Sequence, residues 1–344
     1  MAFAPHTANS IRVTALAVAL LTGHVSSTSA QDEVPDHRPT TAEIVAGEHC
    51  DRCPAWAATV ESLFLWQGNI ASRPLLSSFD GAVRGPTALD ANQLLPATSA
   101  GPRVDLLWRP DRMWSLQGNY FNVSPFNAAR SVVGTPELAE ENLAGFSDSG
   151  FETASASGSG AVQSAEFNLR RRRDGASTTW IAGFRWVQLN QSLDMQGFDS
   201  APDMIDYTLN SSVGNDLYGG QIGFDTMLWN NMRGPVRVNA VGKAGIYGNA
   251  ARQTMRYRDN EGFDLKLGDS MNQVSFFGEV GLNASIVLRR WLAIRAGYTL
   301  LWASAVAVPA GQFSVNDFSR DVAGIDASSS VFLHGVSVGG ELRW

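Results

Sequence analysis

From Trp56 onward, apolar and polar residues alternate with a period of two in segments of roughly 9 to 16 residues, the pattern of strands with one face toward lipid and one toward an interior. Val236, Val238, Ala240, Gly242, Ala244 and Ile246 form one face of a predicted strand, opposite Arg237, Asn239, Lys243, Tyr247 and Asn249. Val274, Phe276, Gly278, Val280, Leu282, Ala284 and Ile286 repeat the arrangement against Ser275, Glu279, Asn283 and Ser285. Leu292, Ile294, Ala296, Tyr298, Leu300 and Trp302 oppose Arg295 and Thr299, and Trp114, Leu116, Gly118 and Tyr120 oppose Ser115, Gln117 and Asn119. The pattern is weaker over 161–172 and in the opening segment, where Glu61 shares a face with Leu63 and Leu65.

The connections alternate as well. Short ones at 110–113, 173–177, 230–235 and 289–290 separate long ones at about 68–100, 124–160, 191–216, 258–272 and 303–328. This predicts an all-β, transmembrane, antiparallel up-and-down barrel of about ten strands, twelve being the alternative, with short periplasmic turns and long extracellular loops. Alternation continues through Gln253 to Tyr257 and Phe263 to Leu267 around Asn260-Glu261-Gly262, so some long loops are expected to run on as hairpins.

Tryptophan gives a second line of inference. Trp56, Trp108, Trp114, Trp180, Trp229, Trp291 and Trp344 all fall within two or three residues of a predicted short turn or at a terminus of the barrel segment, as an aromatic girdle at one membrane interface would require. Trp66 and Trp302 lie 10 and 11 residues beyond Trp56 and Trp291. A tilted strand of that length rises about 25 Å, the height of an outer-membrane apolar band. The last segment, Val336, Val338, Gly340, Leu342 and Trp344 against Ser337, Gly339, Glu341 and Arg343, resembles the terminal signal that bacterial outer-membrane barrels present to the barrel-assembly machinery.

Composition narrows the class. Of 344 residues 44% are hydrophobic and 17% charged, with 33 Gly, 10 Trp and two Lys, Lys243 and Lys266. Charge falls short of the roughly 25% usual in soluble domains, and no apolar run of about 18 residues follows the N-terminus, which excludes a bundle of membrane helices. Arg12 precedes the apolar run 13–22, and small residues then lead to Thr28-Ser29-Ala30, so residues 1–30 read as a signal peptide cleaved after Ala30 and the chain as exported to the outer membrane. Its removal leaves 25 basic against 33 acidic side chains, a balance unsuited to a nucleic-acid partner. Residues 31–55 form a polar, Pro-interrupted periplasmic linker ahead of the barrel at 56–344. Within it Cys50-Asp51-Arg52-Cys53 fits a local disulfide, or zinc together with His49; Pro54 stands where a haem attachment site needs His. No cofactor is expected, and no dense metal-ligand cluster occurs.

Three stretches carry a family likeness: 183–190 (GFRWVQLN), 215–223 (NDLYGGQIG) and 243–249 (KAGIYGN). They resemble the β-barrel porin-7 family of planctomycete outer-membrane proteins, over about residues 56–344. The resemblance implies an outer-membrane barrel with a porin role and assigns no catalytic residue.

Alternation also predicts an inward face. Arg103, Arg109, Arg170, Arg185, Arg237, Lys243, Arg252, Arg256, Arg295 and Arg343 are placed inside with Glu61, Asp105, Glu166, Asp225, Glu279 and Glu341. Ten basic against six acidic groups suggests a polar lumen passing small polar solutes by diffusion with mild anion preference, or a ladder of paired charges filling the interior. Ten strands make that interior narrow. Two other classes are open. In a membrane-embedded hydrolase His334 would serve, with Ser330 and Ser337 near it in sequence, although the register turns His334 toward lipid. In a non-conducting barrel, loops would bind ions or envelope partners. The segment 124–160 carries Glu137, Glu140, Glu141, Asp148 and Glu152 against Arg130, then the low-complexity run 154–160, which reads as flexible loop. Outer-membrane lipid is the expected surrounding in every case.

Overall fold

Ten strands pair each with its neighbour and the last closes on the first. The computed structural model describes residues 55–68, 72–94, 98–141, 143–145, 149–198, 205–230 and 235–344. The expected signal peptide, the expected linker up to Pro54 and the Cys50 and Cys53 pair lie outside the described residues. The strands are β1 (Trp56–Gln67), β2 (Pro74–Phe79), β3 (Arg84–Asp90), β4 (Thr98–Trp108), β5 (Trp114–Glu140), β6 (Ser149–Arg172), β7 (Thr178–Phe198), β8 (Ile205–Asn230), β9 (Val236–Asp259), β10 (Asp264–Arg289), β11 (Leu292–Val306) and β12 (Ser329–Arg343). The ring is β1-β4-β5-β6-β7-β8-β9-β10-β11-β12 and back to β1, all antiparallel. The β2–β3 hairpin stands outside it, adding to the far end of β5.

The register fixes the barrel's dimensions. Paired residues lead from Trp56 through Trp108, Leu116, Leu169, Ala182, Ile222, Ala244, Gly278, Trp302 and Phe332 back to β1 at Gly68, twelve residues above the start. A stagger of twelve over ten strands tilts them by about 40° and sets the backbone radius near roughly 10 Å. Each residue then climbs about 2.5 Å along the axis, so Trp66 lies about 25 Å above Trp56.

Between those two levels the outer face is apolar and exposed: Val60, Phe64, Val104, Phe167, Phe184, Ile222, Ile246, Val280 and Val338 all lie there. A soluble protein would bury such a belt; a transmembrane barrel turns it to lipid.

Above the belt the strands differ in length. β5 to β10 run 21 to 27 residues, whereas β1, β4, β11 and β12 run 11 to 15. Much of 124–160, 191–216 and 258–272, expected as loops, therefore continues the wall. The expected hairpin at Asn260-Glu261-Gly262 is present, joining β9 to β10. The low-complexity run is where the loop expectation fails: Ala154 and Ala156 are buried, and Ser155 and Ser157 occupy the other face of β6. It is a period-two strand built from small residues, whose faces differ too little in hydropathy to register as one. The extended wall encloses its own apolar core, with Leu76, Leu138, Phe151, Tyr207, Met255 and Phe318 among its members.

Candidate functional site: the barrel interior

Above the middle of the apolar belt, five charged side chains from five strands meet inside the barrel. Glu279 of β10 accepts from Arg103 Nη2 on one oxygen and from Arg185 Nη1 on the other, both at 2.6 Å. Lys243 Nζ donates to Glu166 Oε1 at 2.6 Å and lies 3.9 Å from Glu279; Arg185 lies 4.0 Å from Glu166. Gln221 completes Glu166, donating at 2.5 Å, and also reaches Asn168 at 2.8 Å. Arg185 is fully buried, donates to Ser164 at 2.8 Å, and has its guanidinium 4.6 Å from the Phe277 ring centre. Charges so deep are tolerable only when each has a partner at hydrogen-bond distance. The pattern reads as a cross-brace.

Below it, toward the tryptophan rim, the interior stays polar. Arg295 lies 3.5 Å from Glu61 and 3.2 Å from Glu341, which also accepts from Arg343 at 2.5 Å. Arg170 pairs with Asp225, which Asn239 also contacts at 3.0 Å; Asp105 accepts from Gln117 and, at 3.3 Å, from Asn119. Arg237 shares the inner face of β9 with Asn239 and Lys243, and Arg109 follows β4 directly, its backbone N–H bonded to Ala55. Two expected members are elsewhere. β9 runs without a bulge from Val236 to Asp259, so even-numbered residues keep facing out. Arg252 pairs with Asp216, and Arg256 with Asp264, on the outer face of the extension. The inner tally is eight basic to six acidic, largely cross-paired, which weakens the basis for an anion preference.

Above the brace the inward face turns apolar. Leu63, Leu65, Phe121, Val123, Val187, Leu217, Phe277, Leu301 and Leu333 fill the cross-section. The shared face of Glu61, Leu63 and Leu65 belongs to this transition from charge to oil within one strand.

Over that layer sits the 305–328 connection, folded into the mouth. Ala305, with φ of 57°, turns the chain inward, and its carbonyl accepts from Gln273 at 2.6 Å and Ser275 at 2.5 Å. Asn215 brackets Ala307, donating at 2.9 Å and accepting at 2.8 Å; Ser211 reaches Pro309 at 3.1 Å and Gln253 reaches Asn316 at 2.9 Å. Gln312, fully buried, holds the segment together through Val308 and Asp326. At its tip the Ser319 hydroxyl, 2.5 Å away, and Arg320 hold the Asp317 carboxyl below the usual aspartate range. The donors that seat this plug were not among the predicted site residues, yet Asn215, Gln253, Gln273 and Ser275 all lie on the inward register.

On the outer face Trp56 stacks on Trp108 at 5.9 Å, Arg171 sits over Trp114 at 5.0 Å, and Trp180, Trp229, Trp291 and Trp344 are exposed. At the opposite rim His334 stacks on Trp66 and bonds Tyr298 at 2.9 Å, while Ser337 is buried inside the barrel and Ser330 faces out. In the segment expected as an acidic loop, Glu140 is buried and Glu141 pairs with Arg84; Asp148 lies outside the described residues. Among the described residues no group of three or more His, Cys, Asp or Glu is placed to hold a metal ion.

No protein-family model matches the chain, and no curated protein does. The porin-7 resemblance therefore stands on its three motifs alone. Solved structures similar in fold include the outer-membrane protease OmpT from Escherichia coli, at 7% identity and a TM-score of 0.47 over 86% of this chain and 100% of that one. The translocator domain of the autotransporter NalP from Neisseria meningitidis is 10% identical, with a TM-score of 0.37 over 88% and 93%. The P. putida toluene transporter TodX is 10% identical, with a TM-score of 0.31 over 89% and 92%.

Proposed function

We propose that this chain is an outer-membrane β-barrel closed to diffusing solutes in the conformation described, and that it acts through the sheet it raises above the membrane, as a binding platform rather than an enzyme. One observation carries the reading: the interior is filled in three successive levels, by the charge brace, the apolar layer and the seated plug. An ion crossing the apolar layer would shed its water for little in return, the Tyr247 hydroxyl within that layer being already engaged by Gln221, and withdrawing the plug alone would leave the layer in place. The tryptophan rim with its short turns is assigned to the periplasm and the extension to the cell exterior. The assembly machinery would engage the C-terminal strand β12.

A second reading, the diffusion porin that the porin-7 resemblance implies, draws support from the lower half, where Arg170, Asp225 and Arg295 stay partly open to water. Single-channel recording of the refolded protein in a planar bilayer, with insertion verified by heat-modifiable gel mobility, separates the two. We expect inserted protein without resolvable steps. Stable unitary steps would overturn the closed reading in favour of the porin, and their reversal potential in a salt gradient would report the ion preference.

A further inference from the structure

Beside the plug, the wall of the upper barrel is thin. Gly158 of β6 borders a cavity of about 40 Å³ whose walls include Phe126, Leu193, Leu94 and Ala310, the neighbouring Ser159 and Ser192, and two amides, Gln67 and Gln191. Gln67 closes β1 with 5% exposure. Gln191 Oε1 is buried without a partner. A buried amide oxygen left unbonded is unfavourable, and Gln191 Oε1, with the Gln67 amide beside it in a mostly apolar space, marks the cavity as a place for something that hydrogen-bonds there.

We infer that this cavity binds a small neutral molecule, or the end of a larger one, that carries a hydroxyl on a short apolar body. A hydroxyl both donates and accepts, so one group can satisfy Gln191 Oε1 and the Gln67 amide together. No charged side chain lines the space, and an ionic ligand would enter unpaired. At roughly 10 to 15 Å³ per water, the volume holds about three or four non-hydrogen atoms. The body of the ligand lies on Phe126 and Leu193. This goes beyond the closed-barrel reading and holds whether or not the barrel conducts.

The probe is 2-propanol, titrated into the full refolded chain in micelles while the side-chain amide resonances of Gln67 and Gln191 are followed by NMR. Both should shift saturably, and isopropylammonium, the same size but charged, should leave them unmoved. In Gly158→Leu the apparent Kd should weaken at least tenfold. A Cβ at 158 has nothing nearer than Leu94 Cβ and the Ser192 carbonyl, each at 3.9 Å, so the side chain grows into the cavity without striking backbone. Gln67→Met, which keeps the volume and removes the amide, should lose binding to the same degree and covers the case in which Gly158→Leu does not assemble. Unmoved amides would make this an ordered-water cavity and overturn the inference. So would shifts that rise linearly and equally in both variants, or equal binding of isopropylammonium.

Discussion

Glu279 is the residue on which the interior turns. It accepts one hydrogen bond from Arg103 and one from Arg185, with Lys243 3.9 Å away, so all three cations of the brace lie within 4 Å of it. Breaking a buried pair from one side costs more than the pair is worth, because the charge left behind is stranded in low dielectric. Glu279→Gln should therefore destabilise the barrel by about 3–5 kcal/mol, read as a lowered urea midpoint by tryptophan fluorescence in liposomes. Adding Arg103→Met should recover part of that loss, a coupling that a double-mutant cycle measures. A cost under about 1 kcal/mol would mean that water already solvates the site and the lumen is wetter than its packing shows. The residue types of this brace were legible in the alternation: Arg103, Glu166, Arg185, Lys243 and Glu279 were all assigned inward. Their pairing was not, because five strands must be registered before five side chains can be seen to meet. Arg252 and Arg256 show the reverse failure: they share the even parity of Val236 to Ile246, and because β9 carries no bulge that parity keeps them on the outer face.

Elements close this barrel through backbone contact as much as through side chains. At the seam between β1 and β12, a Cβ on Gly335 would stand 1.8 Å from the Phe64 carbonyl, and no rotamer can relieve a clash with backbone. Gly335→Ala should abolish or sharply reduce the heat-modifiable folded species. Gly118→Ala, where a Cβ meets nothing within 4 Å, should leave it intact. Equal yields from the two would mean that the seam yields more than its geometry allows.

The plug is the element that sequence reading left unresolved as an ordinary long connection. Its order comes from side chains of other strands bonding to its carbonyls, information that no window within 303–328 contains. Its tip adds a pH dependence. Because the Asp317 carboxyl titrates below its unfolded value, the tip's stabilisation is present above the ordinary aspartate range and is lost as pH falls through the lower, folded value. The Arg320 amide, which donates to Asp317 Oδ1 at 3.2 Å, should accordingly show an NMR titration midpoint below that of a free aspartate. A midpoint at or above that of a free aspartate would detach Asp317 from the turn.

At the scale of the molecule, ring size, closure and the tryptophan rim were all legible, because each rests on repetition: period two within strands, alternation of connection lengths, and recurrence of Trp at one height. What repetition could not reveal was how far the wall continues. β9 spans 24 residues, which at about 2.5 Å per residue is about 60 Å, and the apolar belt accounts for only about 25 Å of that. About 35 Å of sheet must then stand clear of the membrane, tipped by the Asn260–Glu261 turn, and the side on which it stands decides what it can meet. The short turns and tryptophans assign that side to the cell exterior, by the rule that outer-membrane barrels keep short turns in the periplasm. In a background lacking Cys50 and Cys53, Glu261→Cys should be labelled by a membrane-impermeant maleimide on intact cells, and Arg290→Cys, in the two-residue turn at the opposite rim, only after the outer membrane is opened. The reverse pattern would put the extended wall, its plug and the Gln67 cavity in the periplasm, where whatever they bind must come from inside the envelope. Labelling of both sites on intact cells would mean that the barrel does not hold the outer membrane sealed around it, and the belt of exposed Val, Ile and Phe would then need another partner than lipid.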